Sequence, residues 1–296
     1  MSRFAFLLAI AAAVQSLSAQ AAPTIDIETA AQIYQDAAIR EQVRASLGAM
    51  PAHIRQLFEG NTSAALSDAQ LAAVTAAAKR GFRIDVFEAP ALSAFAANLD
   101  GDTAKKAAAF LSSDLGKRMV AADVALANLE EDKLDKIMSG EITAPSTPQR
   151  DALFAKLEAA SRSTESTVQI FLSMGTAVAL GVAIGSGLDP GPVGERARKS
   201  GEATRADLEK TMHEPLRRYM AYDYRDFSDA DLKHLLDFLQ SAPGKRYVSA
   251  YIASMGAGYD AMGRRCGEQL GDSLRELAIA QLATESADSK PKDPQK

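Results

Sequence analysis

The sequence predicts an all-α protein built from two related helical-bundle units with antiparallel helices. Alanine accounts for 58 of the 296 residues, whereas Trp is absent and Tyr (7) and Phe (11) are sparse. Alanine is the strongest helix former, and strands favour the aromatic and β-branched residues that are thin in this chain. A repeated segment and apolar residues at helical spacing complete the basis of this prediction.

Composition excludes several classes of function. The chain is 47% hydrophobic and 24% charged, which is typical of a globular protein, and its length of 296 residues predicts about two domains. A net charge of −5 offers no basic footprint for nucleic acid. A single Cys excludes an intramolecular disulfide and a Cys-based zinc site, and three His argue against a histidine-rich metal site. We predict no cofactor.

The N-terminal segment, from Met1 to Ala21, has the pattern of a secretory signal peptide. Arg3 precedes an uncharged run from Phe4 to Val14, and Ala19 and Ala21 supply small residues for cleavage after Ala21. The run is shorter than the roughly 20 residues that cross a bilayer as a helix. We therefore expect the mature protein to be periplasmic or secreted.

One segment occurs twice. Phe110–Val120 and Phe238–Val248 are identical at seven of 11 positions when they are aligned without a gap. We interpret this as an internal duplication, because repeated features at a fixed spacing are typical of duplicated units. The prediction divides the chain into a signal peptide, a first unit, a Pro-containing linker, a second unit and a disordered polar tail: residues 1–21, 22–140, 141–150, 151–283 and 284–296.

Each copy of the segment predicts a helix, a sharp break and another helix. In the second copy Ser228 and Asp231 form a capping box that opens the first helix. Pro243 and Gly244 are expected to end that helix, since Pro cannot continue it and Gly tolerates a left-handed C-cap. Gly116 provides the same stop in the first copy. Capping boxes or Pro at the first helical position also predict helix starts at Ser67 and Thr147.

A long amphipathic helix is predicted after Gly244. Apolar residues advance by three or four positions from Tyr247 to Leu277, and Gly263, Gly267 and Gly271 add small residues every four positions. Packing inside a helical bundle is the favoured interpretation of this stripe, with a partner-binding groove as the alternative.

The repeated segment resembles a family motif, Phe-x-x-Ser-x-x-Gly-Lys. The fuller match is carried by Phe238, Ser241, Pro243, Gly244 and Lys245, and a match without the proline by Phe110, Ser113, Gly116 and Lys117. The chain is similar in this respect to the exported bacterial family labelled domain of unknown function 2059. The resemblance implies an all-helical periplasmic or secreted protein without assigned chemistry. It supplies no catalytic residue.

The uncharged run at residues 166–188 is long enough to cross a bilayer, which leaves a membrane-associated protein as an alternative. Arg196, Arg198 and Lys199 follow the run as a positive flank. Polar residues and four glycines within it favour a buried central helix over a membrane span. Surface association with a membrane is the third possibility.

Few residues predict catalysis. His213–Glu214 and His234–Asp237 lack a second ligand set, so we expect solvated or core histidines. An exported hydrolase stays an alternative that would require a pocket holding His213 or His234 beside a carboxylate and a serine. Cys266 lies on the apolar stripe and is predicted to be a buried, inert thiol.

A candidate binding surface combines arginines and tyrosines, the residue types enriched at binding hot spots. Arg118 and Arg246 follow the motif lysines, and Tyr219, Tyr222 and Tyr224 are the tyrosines expected to be exposed. Core or rim packing of these tyrosines is the alternative. The predicted function is non-enzymatic binding or envelope support, with an envelope protein or a lipid as the partner. The Lys117–Arg118 and Lys245–Arg246 pairs are the candidates to receive an anionic group of that partner. No oligomeric state is predicted.

Overall fold

A computed structural model describes residues 25–48, 50–52, 55 and 67–288. These residues contain helices and no strand, so the predicted all-α class is confirmed. The signal peptide predicted at residues 1–21 lies outside the described residues. In chain order the helices are α1 (Ile27–Asp36), α2 (Ile39–Leu47), α3 (Asp68–Gly81), α4 (Ile84–Ala97), α5 (Gly101–Ser112), α6 (Asp114–Ala127), α7 (Glu131–Ser139), α8 (Pro148–Ser161), α9 (Ser163–Gly185), α10 (Pro190–Asp223), α11 (Asp229–Gln240) and α12 (Ala242–Asp288).

The predicted helix starts coincide with the observed ones. Ser67 and Ser228 each form a capping box, with Gln70 and Asp231 as the reciprocal partners. Thr147 caps α8 and Pro148 occupies its first turn, where the missing N–H of proline costs nothing. These starts are local in origin, because a cap satisfies amide groups within the first turn of its own helix.

The 47-residue helix α12 is the central helix of the bundle. At 1.5 Å per residue it is about 70 Å long, and it packs along α9, α4 and α3. Met255, Met262, Cys266 and Leu270 of the predicted stripe are buried against these neighbours. The stripe therefore belongs to the bundle core, as the favoured interpretation expected.

Small residues bring α9 and α12 into close contact. A Cβ added at Gly267 of α12 would lie 2.1 Å from the carbonyl oxygen of Val178, and one added at Gly181 of α9 would lie 2.3 Å from that of Arg264. The contacts advance together along both helices, so α9 and α12 run parallel, unlike the antiparallel arrangement predicted for the bundle. Helix α10 returns antiparallel to α9 after a turn at Gly187.

Two apolar cores lie along α12. The larger core combines α1–α5 with residues of α9 and α12, and the smaller combines α6, α8, α11 and the start of α12. Residues 141–147 form a non-helical connection where a linker is predicted. The larger core nevertheless contains residues from both sides of that linker, because α9 and α12, which follow the linker, pack against helices that precede it.

The end of α12 differs from the prediction. Helix α12 continues to Asp288, and so enters the segment that was predicted to be a disordered tail. This start of the tail contains neither Gly nor Pro to end a helix, and residues 289–296 lie outside the described part.

Among the described residues α9 alone is long and apolar enough to cross a membrane, and 39% of its apolar span is buried inside the protein.

Candidate functional site

The motif serine joins two helices at a sharp corner. Ser241 has an extended backbone (φ −65°, ψ 158°) between α11 and α12. Its hydroxyl donates to the carbonyl oxygen of Phe238 (2.6 Å) and accepts from the amide of Gly244 (3.0 Å). One side chain thus binds the end of one helix and the start of the next.

The role predicted for the motif glycine needs correction. Gly244 is not a left-handed C-cap but lies in the first turn of α12, and Ser241 makes the break. A Cβ at Gly244 would lie 1.8 Å from the carbonyl oxygen of Phe238. Glycine is present because the two helices approach this closely, and Pro243 is accepted because it also lies in the first turn.

The first copy has the same corner. Ser113 (φ −66°, ψ 159°) donates to the carbonyl oxygen of Phe110 (2.6 Å) and accepts from the amide of Gly116 (3.0 Å). Gly116 likewise lies in the first turn of α6 rather than at a helix stop, and a Cβ there would lie 2.1 Å from the carbonyl oxygen of Phe110.

The two corners pack against each other. The rings of Phe110 and Phe238 stack with centroids 4.3 Å apart and planes 3° apart. Arg118 beside the first corner binds Asp231 at the start of α11 (2.9 Å). Arg246 beside the second binds Asp100, the N-cap of α5 (2.8 Å). Both arginines of the candidate binding surface therefore form ion pairs within the protein.

The aspartates of these ion pairs are held in their charged form. The amide of Thr103 and then the guanidinium of Arg246 lower the pKa of Asp100 below its ordinary value. Hydrogen bonds from Ser228, followed by the contact with Arg118, lower the pKa of Asp231. Each carboxylate thus accepts bonds from a helix start and from an arginine of the other corner.

The motif lysines have a different environment from the arginines beside them. Lys117 and Lys245 are exposed, and neither forms an ion pair with a described residue. Lys245 lines a solvent-open cavity of about 710 Å³ between α8 and the second corner. Its other lining residues are Lys156, Ala159, Ala160, Arg162, Gln240, Val248 and Ser249. We call this cavity the cationic groove, because its lining contains three basic residues and no acidic one.

A second cavity, of about 400 Å³, adjoins the cationic groove and shares Ala159 and Arg162 with it. It is lined in addition by Glu158, Thr164, Glu165, Glu209, Lys210 and His213. The guanidinium of Arg162 binds Glu165 through two hydrogen bonds (2.9 and 2.5 Å) at the boundary between the cavities.

His213 is held at both of its ring nitrogens. Nδ1 lies 2.6 Å from the buried carboxylate of Glu158, which also accepts a hydrogen bond from Thr164 (2.5 Å). Nε2 lies 2.9 Å from a guanidinium nitrogen of Arg217. With Nδ1–H donating to Glu158, Nε2 is the acceptor for Arg217 and is not directed at a nucleophile. His213 and Glu158 are thus a histidine and a carboxylate of the kind that a hydrolase uses, but their hydrogen bonds give them a structural role here.

His234 and Cys266 give no indication of a reactive site. His234 is exposed and lies edge-on to the ring of Phe110, with centroids 6.1 Å apart. Burial raises the pKa of the Cys266 thiol to about 12, which fits the predicted inert thiol. In the described part of the chain, no group of three or more His, Cys, Asp or Glu residues is placed to hold a metal ion.

The three tyrosines expected to be exposed are half-buried. Tyr224 donates its hydroxyl to Asp123 (3.0 Å), and Arg225 covers the ring of Tyr222 at 4.3 Å. Burial raises the pKa of Tyr219. These residues lie on the packed side of α10 and its C-terminal turn. They therefore pack at the rim of the bundle and do not form an open binding surface.

Sequence reasoning missed a carboxyl pair at this place. Asp123 of α6 and Asp223 of α10 are hydrogen-bonded to each other. Burial, followed for Asp223 by the charge of its partner, raises the pKa of both groups, which favours the protonated form of the pair. No spacing rule could have joined residues so far apart in the chain.

The cationic groove is therefore the feature of the described surface best suited to bind a ligand. It has the volume of an ordinary ligand site, and two of its three basic residues have no ion-pair partner among the described residues. Comparison of the chain with models of protein families, with curated proteins and with solved structures found no match.

Proposed function

We propose that this chain is a non-enzymatic helical binding protein of the cell envelope whose cationic groove takes an anionic group of its partner. The proposal rests on one observation: Lys156 and Lys245 line the same cavity, which has a volume of about 710 Å³. A cleft lined by charges of one sign attracts ligands of the opposite sign. The predicted ligand group is a phosphate or a carboxylate.

The polar lining supports this assignment. Gln240 and Ser249 add hydrogen-bond donors beside the two lysines, and Val248 adds apolar surface. Arg162 is bound to Glu165, so it contributes shape and a weaker field than the lysines. A phosphate or carboxylate seated between Lys156 and Lys245 would accept charge-assisted hydrogen bonds, which are stronger than those between neutral groups.

The envelope location rests on the sequence. Residues 1–21 have the pattern of a signal peptide, and the motif around Ser241 resembles that of an exported family. Both stay predictions. N-terminal sequencing of the protein recovered from the periplasm or the medium tests them, and a mature chain beginning at Ala22 is the expected result.

We also propose that the two corners descend from an internal duplication. Helices α5 and α11 each have 12 residues, and a single serine separates each of them from the helix that follows. Both serines make the same two hydrogen bonds, of 2.6 Å to the phenylalanine carbonyl oxygen and 3.0 Å from the glycine amide. Helix α12 then extends far beyond the length of α6, so the likeness is confined to the corner and the helix before it.

Titration of the mature protein tests the binding proposal. Inorganic phosphate, citrate and a monomeric short-chain phosphatidylglycerol would be compared by calorimetry, which distinguishes a free anion from a lipid headgroup. At least one should bind, and the double variant Lys156→Ala/Lys245→Ala should lower its affinity by about tenfold or more, since each lost bond to a charged group costs roughly 1.5 kcal/mol.

The matched control is Lys105→Ala/Lys117→Ala, which removes two exposed lysines outside the groove. It should leave the affinity unchanged. A crosslinking pull-down from the envelope fraction should recover a partner with the control and lose it with the groove variant. Failure of all three anions to bind, together with identical pull-downs from both variants, would refute the proposal.

A further inference from the structure

Exposed aliphatic side chains collect at one end of the bundle. Ile184 (43% exposed) and Leu188 (61%) lie at the turn between α9 and α10, which we call the hairpin tip (residues 184–190). Ile279 (61%) and Leu282 (63%) lie on the last turns of α12. In the described part of the chain only one other large hydrophobic side chain, Ile27 (52%), is as exposed.

The parallel register of α9 and α12 brings these residues to the same end. A Cβ at Gly185, the last residue of α9, would contact Glu268 and Asp272 of α12. Helix α12 continues in the same direction from Asp272 to its end at Asp288. The hairpin tip and the end of α12 thus lie at the same end of the bundle, beyond the close glycine contacts.

Positive charge lies just behind the hairpin tip. Arg196 and Arg198 are exposed on α10, and neither forms an ion pair with a described residue. They follow the first residue of that helix by six and eight positions, which is about 9–12 Å along its axis. Acidic groups also lie near this end: Asp189 accepts from the amide of Gly191, Glu195 binds Lys199, and Asp272 binds Arg275.

This arrangement matches the depth profile of a bilayer surface. Amphipathic segments that bind membranes bury apolar side chains about 5–10 Å into the boundary between headgroups and acyl chains, while their cations remain among the phosphates. The tip is a turn with exposed aliphatic side chains, so a protein partner would need a complementary pocket to cover it, whereas lipid conforms to it. Helix α9 itself is held against α12 by backbone contact, which argues for docking of its end rather than a span.

We infer that the hairpin tip docks on the surface of an anionic bilayer. Ile184 and Leu188 enter the acyl boundary, and Arg196 and Arg198 bind lipid phosphates. This inference is independent of the cationic groove, which lies in a different part of the molecule between α8 and the start of α12.

Vesicle co-sedimentation of the mature full-length chain tests the inference. Vesicles of phosphatidylcholine alone would be compared with vesicles in which half of it is replaced by phosphatidylglycerol, and binding should strongly favour the latter. The variant Ile184→Ser/Leu188→Ser should lower the partition coefficient by roughly tenfold or more, because each residue loses most of its apolar burial. Ile27→Ser is the matched control and should bind as the unaltered protein does.

Charge and topology provide two further readouts. Arg196→Ala/Arg198→Ala should lower binding to the anionic vesicles by about tenfold and leave the weak binding to phosphatidylcholine unchanged. Carbonate extraction should release the bound protein, whereas retention in the pellet would indicate a spanning helix and overturn docking. Circular dichroism checks that every variant keeps its helical content.

The groove variant separates this inference from the proposed function. Lys156→Ala/Lys245→Ala should retain vesicle binding if the hairpin tip carries it. Loss of vesicle binding in that variant, with normal binding by Ile184→Ser/Leu188→Ser, would assign lipid to the groove and overturn the tip as the docking surface. Equal losses with Ile27→Ser and the tip variant would overturn it as well.

Discussion

The rings of Phe110 and Phe238 stack at 4.3 Å between centroids although the two residues belong to different copies of the repeated segment. Each phenylalanine also offers its carbonyl oxygen to the serine of its own corner, Ser113 or Ser241. The same residue thus shapes a corner through its backbone and joins the two corners through its ring. This dual use connects the repeated motif to the packing of the smaller core.

The Phe110–Phe238 stack should be measurable as a coupling energy. We expect Phe110→Leu and Phe238→Leu each to lower the free energy of unfolding, and the double variant to lose about 1 kcal/mol less than the sum of the single losses. Urea unfolding of the four proteins provides the test. Strict additivity would mean that the parallel rings contribute no interaction of their own.

Gly244 should tolerate no side chain. Gly244→Ala places a methyl group against the carbonyl oxygen of Phe238, and we expect a loss of about 1–3 kcal/mol in the free energy of unfolding. Gly256→Ala is the control on the same helix, where an added Cβ meets nothing within 4 Å. It should stabilise the protein by up to about 1 kcal/mol through helix propensity. Equal effects of the two changes on thermal unfolding would contradict the close approach.

We expect the arginines of the repeated segment to affect stability and the lysine in the cationic groove to affect anion binding. Arg118→Ala/Arg246→Ala removes two ion pairs whose arginine side chains are 54% and 61% exposed, so we expect a loss of at most about 1 kcal/mol per pair. Anion affinity in the cationic groove should be retained. Lys245→Ala should instead preserve stability and weaken binding. The opposite pattern would place the ligand at the arginines.

The carboxyl pair predicts a particular pH dependence. Because the folded pKa of Asp223 is raised above its ordinary value of 3.8, its contribution is fully present at low pH and is lost as pH rises through the raised pKa. We expect Asp223→Asn to reduce this decline between about pH 4 and about pH 8, and to be relatively more stable than the unaltered protein at the upper end.

Thermal unfolding across that pH range measures the effect. The control is Asp226→Asn, three positions along the chain, whose side chain is 81% exposed. It should follow the curve of the unaltered protein. A parallel decline in the Asp223→Asn variant would show that the buried pair does not retain a proton.

Local features of the chain were readable from sequence. The capping boxes at Ser67 and Ser228, and the start of α8 at Pro148, lie where the residue pattern predicts them. Each depends on hydrogen bonds between residues at most three positions apart. The all-α class follows as well, because alanine-rich segments with apolar residues at helical spacing can bury a stripe only by packing helix against helix.

The function of the motif residues was only partly readable. The helix break is where the sequence predicts one, but the stop assigned to Gly244 is made by Ser241. A glycine at a helix boundary suits either a left-handed C-cap or a close backbone approach, and these have the same sequence signature. Only the position of the Phe238 carbonyl oxygen decides between them.

Tertiary structure alone decided which charged groups meet. Arg246 binds Asp100, Asp123 is hydrogen-bonded to Asp223, and Lys156 lies along the same groove as Lys245. Each association joins segments that are distant in the chain, and it depends on how rigid helices dock rather than on spacing along the sequence. The sequence by itself determined where helices begin and which faces are apolar, since those properties arise within one or two turns. The parallel register of α9 on α12 placed the hairpin tip, and the packing of α8 beside the start of α12 placed the cationic groove, because both depend on the contact of two helix surfaces.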